Sequence, residues 1–294
     1  MTTLTYSLVT PTRDEADNLS RLAESVTSQS VMPRSWIIVD NGSTDRTPAL
    51  IGELEATCSW ISGATSPPAA NPEPGAPIVR AIHTGLAQLG KCDVVVKLDA
   101  DVSFAHDYFE RLLQAFEDDP ALGIAGGECL ELDSGEWRAV HVTSSHVRGA
   151  VRAYRRECLD VLLPLIEGLG WDTVDELQAS VHGWRVAVVP GLSFRHHRAL
   201  GARDGFPWSR AVRQGRAAHY LGYRFWYLAA RSVFRARTSP TAFGMLWGYA
   251  GSAVARRPVH PDAAVRAELR RRQALVALPI RIREALGRQS LSSR

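Results

Sequence analysis

The chain has 294 residues, 45% of them hydrophobic and 22% charged, with a formal net charge of +3. This excludes a wholly disordered or collagenous chain, and the length allows one large domain or a medium domain with an extension. The small net charge conceals a division: residues 1–194 carry 14 basic and 27 acidic side chains, whereas residues 195–294 carry 20 arginines, no lysine and 4 acids. An acidic body and a basic last third point to cation binding in the first and anion binding in the second. A genome biased towards arginine accounts for Arg over Lys, but not for the scarcity of acids after Arg195.

In chain order, Met1–Tyr6 has neither basic residues nor an apolar run, so no signal peptide is expected there. Tyr6–Val9, Trp36–Val39 and Val94–Leu98 are short, apolar and largely β-branched, as expected of buried parallel strands. Helical patterns alternate with them: Asn18–Val26 repeats apolar residues at helical spacing, Thr47-Pro48 opens a helix towards Glu55, and Val79–Leu89 is similar. Strand and helix in alternation predict an α/β layered domain. Ser62–Pro77, rich in Pro, Ala, Gly and Ser, predicts a surface loop. A further strand is expected over Arg185–Val189. The four cysteines, Cys58, Cys92, Cys129 and Cys158, have no paired spacing and are expected to be reduced and buried, as in a cytosolic protein.

From about His219 the texture changes. Tyr220, Tyr223, Phe225, Trp226, Tyr227 and Phe234 stand among Arg224, Arg231 and Arg235, which share one helix face. Thr238–Ala255 then runs 18 residues without a charge, interrupted by Pro240, Gly244, Gly248 and Gly251. Two readings stand side by side: a helix or shallow re-entrant turn in a membrane interface, and a helical subdomain. Arginines among aromatics can also stack bases, but no nucleic-acid module is readable, so an anionic lipid surface is the expected partner and nucleic acid is not.

The polar residues that follow three of the strands carry the chemistry. Ligands of open α/β sheets bind beyond the carboxyl ends of strands. Thr10–Glu15, Asp40–Asp45 and Asp99-Ala100-Asp101 would therefore gather at one edge. Asp99 and Asp101, two apart in extended backbone, point the same way and suit a hard divalent cation that in turn holds phosphate oxygens. Further on, Asp172, Asp175 and Glu176 share one face if a helix has begun there; the alternative is a helix N-terminus decorated with acids for its dipole.

Four motifs together resemble the family 2 glycosyltransferases of the GT-A fold. They are Val9-x-Pro11-Thr12-Arg13-Asp14-Glu15-x-x-Asn18-Leu19, with Asp14 in place of the usual Asn; Val39-Asp40-Asn41-Gly42-Ser43-Thr44-Asp45-x-Thr47, the most specific; Leu98-Asp99-Ala100-Asp101; and Gly170-Trp171-Asp172-x-x-Asp175-Glu176 with Gly183. The resemblance covers roughly residues 4–200. It implies a Rossmann-like mixed, mainly parallel sheet flanked by helices over 1–205, followed by a basic, aromatic-rich helical extension over 206–294.

The resemblance also implies roles. Pro11, Thr12, Glu15 and Asp40 belong to the nucleotide-binding set, although Asp40 can equally cap its own turn, and Asp45 can cap the helix opening at Thr47. Asp101 would bind Mg²⁺ or Mn²⁺, with Asp99 on the ribose or on metal-bound water. His196, preferred to His197, would complete the metal site, the alternative being an exposed histidine pair without function. Arg198 would meet the diphosphate. Asp175 would be the general base for the acceptor, with Glu176 the second choice. Arg152 and Arg155 are read either as steering an anion or, with more weight, as solvated charges at a strand edge.

The expected activity is transfer, with inversion, of a sugar from a UDP-, GDP- or dTDP-type donor to a glycan or lipid-linked acceptor. The expected location is the cytoplasm, peripheral on the inner face of the membrane. Two alternatives differ in class. A metal-dependent haloacid-dehalogenase-type phosphatase would use Asp99 as nucleophile, but leaves Val39–Asp45 unexplained and expects a downstream lysine, of which there is none after Lys97. A non-catalytic membrane scaffold would have no reason to keep the acids.

Overall fold

The computed structural model describes residues 3–67, 75–140, 146–168, 170–198 and 207–275. These divide into two compact units, one ending at 198 and one spanning 207–275. In chain order the first unit contains β1 (Tyr6–Thr12), α1 (Ala16–Thr27), β2 (Trp36–Asp40), α2 (Thr47–Thr57), β3 (Ile61–Thr65), α3 (Ala76–Leu86), β4 (Val94–Leu98), β5 (Val102–Phe104) and α4 (Tyr108–Asp118). It continues with β6 (Leu122–Asp133), β7 (Glu136–Ala139), β8 (Val151–Arg155), α5 (Arg156–Leu162), α6 (Trp171–Val181) and β9 (Arg185–His196).

The strands form one sheet in the order β3-β2-β1-β4-β8-β6-β9-β5, with β7 on β6. β3, β2, β1 and β4 run parallel, whereas β8 lies antiparallel between β4 and β6. The apolar runs of the parallel strands reflect burial on both faces. Leu8, Ile38 and Val96 pack in one core with Leu19, Leu22 and Val26 of α1. On the opposite face Val9, Ile37 and Val39 pack with Ala81 of α3. Because successive residues of a strand alternate faces, one continuous apolar segment serves both layers.

Two expectations change. Ser62–Pro77 is not a single loop: Ile61–Thr65 pairs with Trp36–Asp40 as β3, and Ala76-Pro77 open α3; residues 68–74 lie outside the described residues. The Ser-Gly-Ala stretch lacks the β-branched residues that announce a strand. Backbone pairing with β2 supplies its order instead, and Gly63 leaves room for Ile51, whose Cγ2 would lie 2.6 Å from an added Cβ. The strand expected over Arg185–Val189 continues to His196, which places that histidine on the sheet.

The second unit contains α7 (Pro207–Tyr220), α8 (Phe225–Ala236), a 3₁₀ turn over Pro240–Phe243, α9 (Gly244–Val254) and α10 (Ala263–Arg272). The uncharged run Thr238–Ala255 is thus a turn followed by an 11-residue helix. No described helix is long and apolar enough to cross a membrane. α9 packs against α7 through glycines: a Cβ added at Gly215 would lie 2.0 Å from the Met245 carbonyl oxygen, and one at Gly248 would lie 2.1 Å from that of Val212. Gly215→Ala is therefore expected to push the helices apart at a cost of about 1–3 kcal/mol, lowering the thermal midpoint of this unit. An unchanged midpoint by calorimetry would mean that the two helices do not meet at this spacing.

Candidate active site

The first group of side chains stands where β1 and β2 end. Asp14 has φ 52°, in the left-handed region that Asn and Asp tolerate best, so the Asp in place of Asn keeps the same backbone. Its Oδ1 accepts the Thr44 N–H at 2.7 Å and its own N–H donates to Ser43 Oγ at 3.0 Å. Asp45 accepts from Thr47 N at 2.9 Å and Ala16 N at 3.1 Å, serving the starts of α2 and α1 together. Asp40 accepts from Gly42 N and Ser43 N, each at 3.2 Å, so it does cap its own turn. Thr12 donates its hydroxyl to the Val39 carbonyl at 3.1 Å, and Pro11 is half-buried beside it. Two loops expected to cradle a nucleotide are thereby tied into one rim.

Arg198 joins that rim to the aspartates after β4. Its guanidinium donates to both oxygens of Glu15, at 2.8 and 2.7 Å, and lies 3.5 Å from Asp101 Oδ2. Arg198 and Glu15, expected to meet different parts of a donor, meet each other. Asp101 Oδ1 is 3.3 Å from His196 Nε2, and both residues are buried. Burial alone would raise the Asp101 carboxyl, but His196 and Arg198 outweigh it and hold it below the ordinary range. Burial would likewise lower His196, yet the Asp101 carboxylate prevails and raises the imidazole to about 10. His197 instead shares a 2.7 Å hydrogen bond with Ser103 Oγ and packs edge-on to Trp137. Of the two histidines, His196 faces the aspartates.

Asp99, Asp101 and His196 offer ligand atoms within 4.8 Å of one another. Asp101 Oδ1 is buried without a hydrogen-bond partner. A buried, orphaned carboxylate oxygen beside a second carboxylate and an imidazole fits a hard divalent cation of the Mn²⁺ or Mg²⁺ type.

Lys97 was not anticipated as a site residue. It is buried within the apolar run of β4, forms an ion pair with Asp99 and donates to the Gly149 carbonyl at 2.6 Å. The signal was present: a lysine inside Val-Val-Val-Lys-Leu, in a chain otherwise rich in arginine. Opposite it in the β4–β8 register stands Arg152. The weightier reading of Arg152, a solvated charge at a strand edge, is corrected here. β8 is an interior strand, and Arg152 is fully buried. Arg155 likewise serves structure, with its guanidinium donating to the carbonyls of Phe116, Asp119 and Leu122. Lys97 and Arg152 each lie 5.8 Å from the Trp171 ring centroid, so this ring joins the two clusters.

Around Arg152 gather the acids that open α6. Its guanidinium donates to both Asp175 oxygens at 2.6 and 3.1 Å, to Glu176 Oε1 at 3.0 Å and to the Asp172 carbonyl at 2.6 Å. Tyr154 donates its hydroxyl to Asp175 Oδ2 at 2.6 Å. Glu176 also accepts from Val147 N at 2.8 Å and lies 3.1 Å from His146 Nδ1. Burial raises Asp175 to about 7 against the opposing pull of Arg152. For Glu176 the balance falls the other way: Arg152 and His146 hold it below its ordinary value despite burial. Asp172 is half-buried, and its Oδ2 would be 3.7 Å from a Cβ at Gly149, the residue bonded to Lys97. Tyr154 and His146 were not read from the sequence, where nothing marks them.

A mainly parallel sheet with acid-tipped strand ends, an aspartate pair backed by histidine, and a second carboxylate cluster beyond it define the class: a GT-A glycosyltransferase fold. Residues 7–141 match the family model described as "Glycosyl transferase family 2", so this stretch carries that family's domain. Solved structures agree on the fold. The mannosyltransferase PcManGT from Pyrobaculum calidifontis, in complex with GDP-Man and Mn²⁺, superposes with a TM-score of 0.55 at 18% identity over 96% of this chain and 84% of its own. TarS 1–349 from S. aureus, in complex with UDP, gives 0.52 at 18% identity over 72% of this chain and 65% of its own. GalNAc-T7 with UDP, GalNAc and Mn²⁺ gives 0.54 at 16% identity over 67% and 44%. In a further structure of TarS 1–349 the matched part is 60% of that chain. A comparison with curated proteins gives no match.

Proposed function

We propose that the chain transfers a sugar, with inversion, from a nucleoside-diphosphate sugar to a hydroxyl acceptor, and that a divalent cation is required. The observation that carries this reading is the buried, orphaned Asp101 oxygen facing His196, within reach of Asp99 and beside the nucleotide rim. Asp101 and His196, with Asp99, would hold Mn²⁺ or Mg²⁺, which when bound supplies Lewis acidity to the departing diphosphate. Lys97 keeps the Asp99 carboxylate anchored at the strand end. Arg198, on leaving Glu15, offers two parallel N–H donors to phosphate oxygens, and Glu15, which also accepts from Asn18 Nδ2, faces the nucleoside. Pro11, Thr12 and Asp40 shape the remainder of that rim.

The acceptor hydroxyl must lose a proton as it attacks from the face opposite the diphosphate, and a carboxylate of the α6 turn receives it. In the first reading this is Asp175, whose carboxyl is placed near neutrality by burial. A second reading, favoured by exposure, gives the proton to Asp172. Asp175 is 1% exposed with both oxygens bonded, whereas Asp172 is half-exposed beside Gly149. Thermal-shift measurements over UDP-, GDP- and dTDP-sugars, with and without Mn²⁺, test the donor assignment. One nucleotide class is expected to raise the midpoint only when the cation is present. A midpoint that responds to none of them would remove the donor site.

For the second unit we propose peripheral contact with an anionic membrane, which fits a lipid-linked or polysaccharide acceptor. Support comes from its arginines together with its exposed aromatics, among them Trp208, Phe225, Phe243 and, 71% exposed, Trp247. The full chain is expected to sediment with anionic vesicles at low salt, progressively less as salt rises, and less still as Trp247→Ala. Equal binding to neutral vesicles, or none to anionic ones, would reduce this unit to an ordinary helical subdomain.

A further inference from the structure

His196 has a second side. While Nε2 faces Asp101, Nδ1 lies 3.6 Å from Glu131 Oε1 and is buried without a hydrogen-bond partner. Cys129, Glu131 and His196 offer a sulfur, an oxygen and a nitrogen within 4.8 Å of one another. Cys129 and Glu131 are two apart on β6, so they project from the same face of the sheet that β6 shares with β9. The β6–β9 register brings His196 opposite Glu131. Cys129 is fully buried and unbridged, and Arg148 Nη2 holds Glu131 at 3.0 Å. The proposed transfer uses none of these three groups except the imidazole itself.

We propose that Cys129, Glu131 and Nδ1 of His196 form a second cation site, selective for a thiophilic divalent ion such as Zn²⁺, that opposes the first site through the shared imidazole. Thiolate, imidazole and carboxylate with one position open for water form a tetrahedral zinc set, while the two carboxylates on the other side of the ring suit a harder ion. Zinc binding requires the Cys129 thiol to release its proton to solvent, and the imidazole, protonated on both nitrogens while ion-paired with Asp101, to release the one on Nδ1. A neutral imidazole has one lone pair. A metal on Nδ1 therefore leaves the proton on Nε2, where it donates to Asp101 instead of ligating. The antagonism rests on the hard-cation reading of Asp99, Asp101 and His196; the zinc site itself does not.

The test titrates the full chain with Zn²⁺ against a chromophoric chelator and follows Mn²⁺ by electron paramagnetic resonance. Wild type is expected to bind one Zn²⁺ tightly, and one equivalent of Zn²⁺ to weaken Mn²⁺ binding by about 10–100-fold, the usual effect of disturbing a metal-bound histidine. Cys129→Ala and Glu131→Gln should each weaken Zn²⁺ at least tenfold, while Cys58→Ala, at a lone half-buried thiol, should not. In Cys129→Ala, Zn²⁺ should no longer depress Mn²⁺ affinity. Two buried-site variants are used so that misfolding of one, seen by circular dichroism, leaves the other informative. Zn²⁺ held equally well by wild type, Cys129→Ala and Glu131→Gln would overturn the site, and Mn²⁺ affinity indifferent to bound Zn²⁺ would overturn the antagonism. Asp101→Ala separates the premises: loss of Mn²⁺ with Zn²⁺ retained upholds both sites, whereas Mn²⁺ retained refutes the hard-cation reading without touching the zinc site.

Discussion

Asp175→Asn is expected to lower kcat by about 10²–10⁴-fold while donor affinity persists, the usual contribution of a general base. The same change has a structural cost. Arg152 and Tyr154 are buried and donate to both Asp175 oxygens, whereas asparagine offers them a single acceptor oxygen. A buried donor left without its acceptor costs about 1–3 kcal/mol, so a fall in the thermal midpoint should accompany the fall in rate. Asp172→Asn supplies the contrast, because the Arg152 contact at that residue is to its backbone carbonyl and survives the substitution. If Asp172→Asn abolishes turnover at an unchanged midpoint while Asp175→Asn mainly destabilises, the base is Asp172.

The pH dependence follows from the Asp175 carboxyl at about 7. A base acts when ionised, so kcat should rise through that pH, and the inflection should vanish in Asp175→Asn. Stability moves in the opposite sense. A carboxyl raised from 3.8 to about 7 on folding contributes stability that is complete below the unfolded value and is lost as pH rises through the folded one. A rate profile flat from pH 5 to 9 would place the proton acceptor elsewhere.

Asp101→Ala is expected to abolish Mn²⁺-dependent donor binding, measured by calorimetry with the best nucleotide sugar. It removes the carboxylate that His196 Nε2 and Arg198 both face, while Arg198 keeps its two bonds to Glu15. Chelation of the wild type with EDTA should give the same loss of donor binding. Donor affinity indifferent to both treatments would show that the aspartates do not work through a cation.

Much of the rim after β1, β2 and β4 was legible because each of its signals is local. A β-branched apolar run reports a buried strand, and the acid that follows it reports a strand end. Two aspartates two apart share a side whatever the rest of the chain does. Asp45 capping the helix at Thr47 and Asp40 closing its own turn were readable for the same reason. β3 escaped notice because Ser-Gly-Ala carries no strand signal of its own and is ordered by pairing with β2.

From the sequence alone came the strands β1, β2 and β4 with the helices between them, the edge at which the acids collect, and the division into an acidic body and a basic last third. Only the tertiary structure decided which charges are buried together. Arg152 changed from a solvated edge residue to the centre of a buried cluster because β8 inserts between β4 and β6. Glu15 met Arg198 across 183 positions, and His196 came to stand between Asp101 and Glu131. Periodicity reports how an element is buried, not which partner buries it. For charges the partner decides everything, since the desolvation of an ion is offset only by the specific groups that pairing of distant strands brings within hydrogen-bond reach.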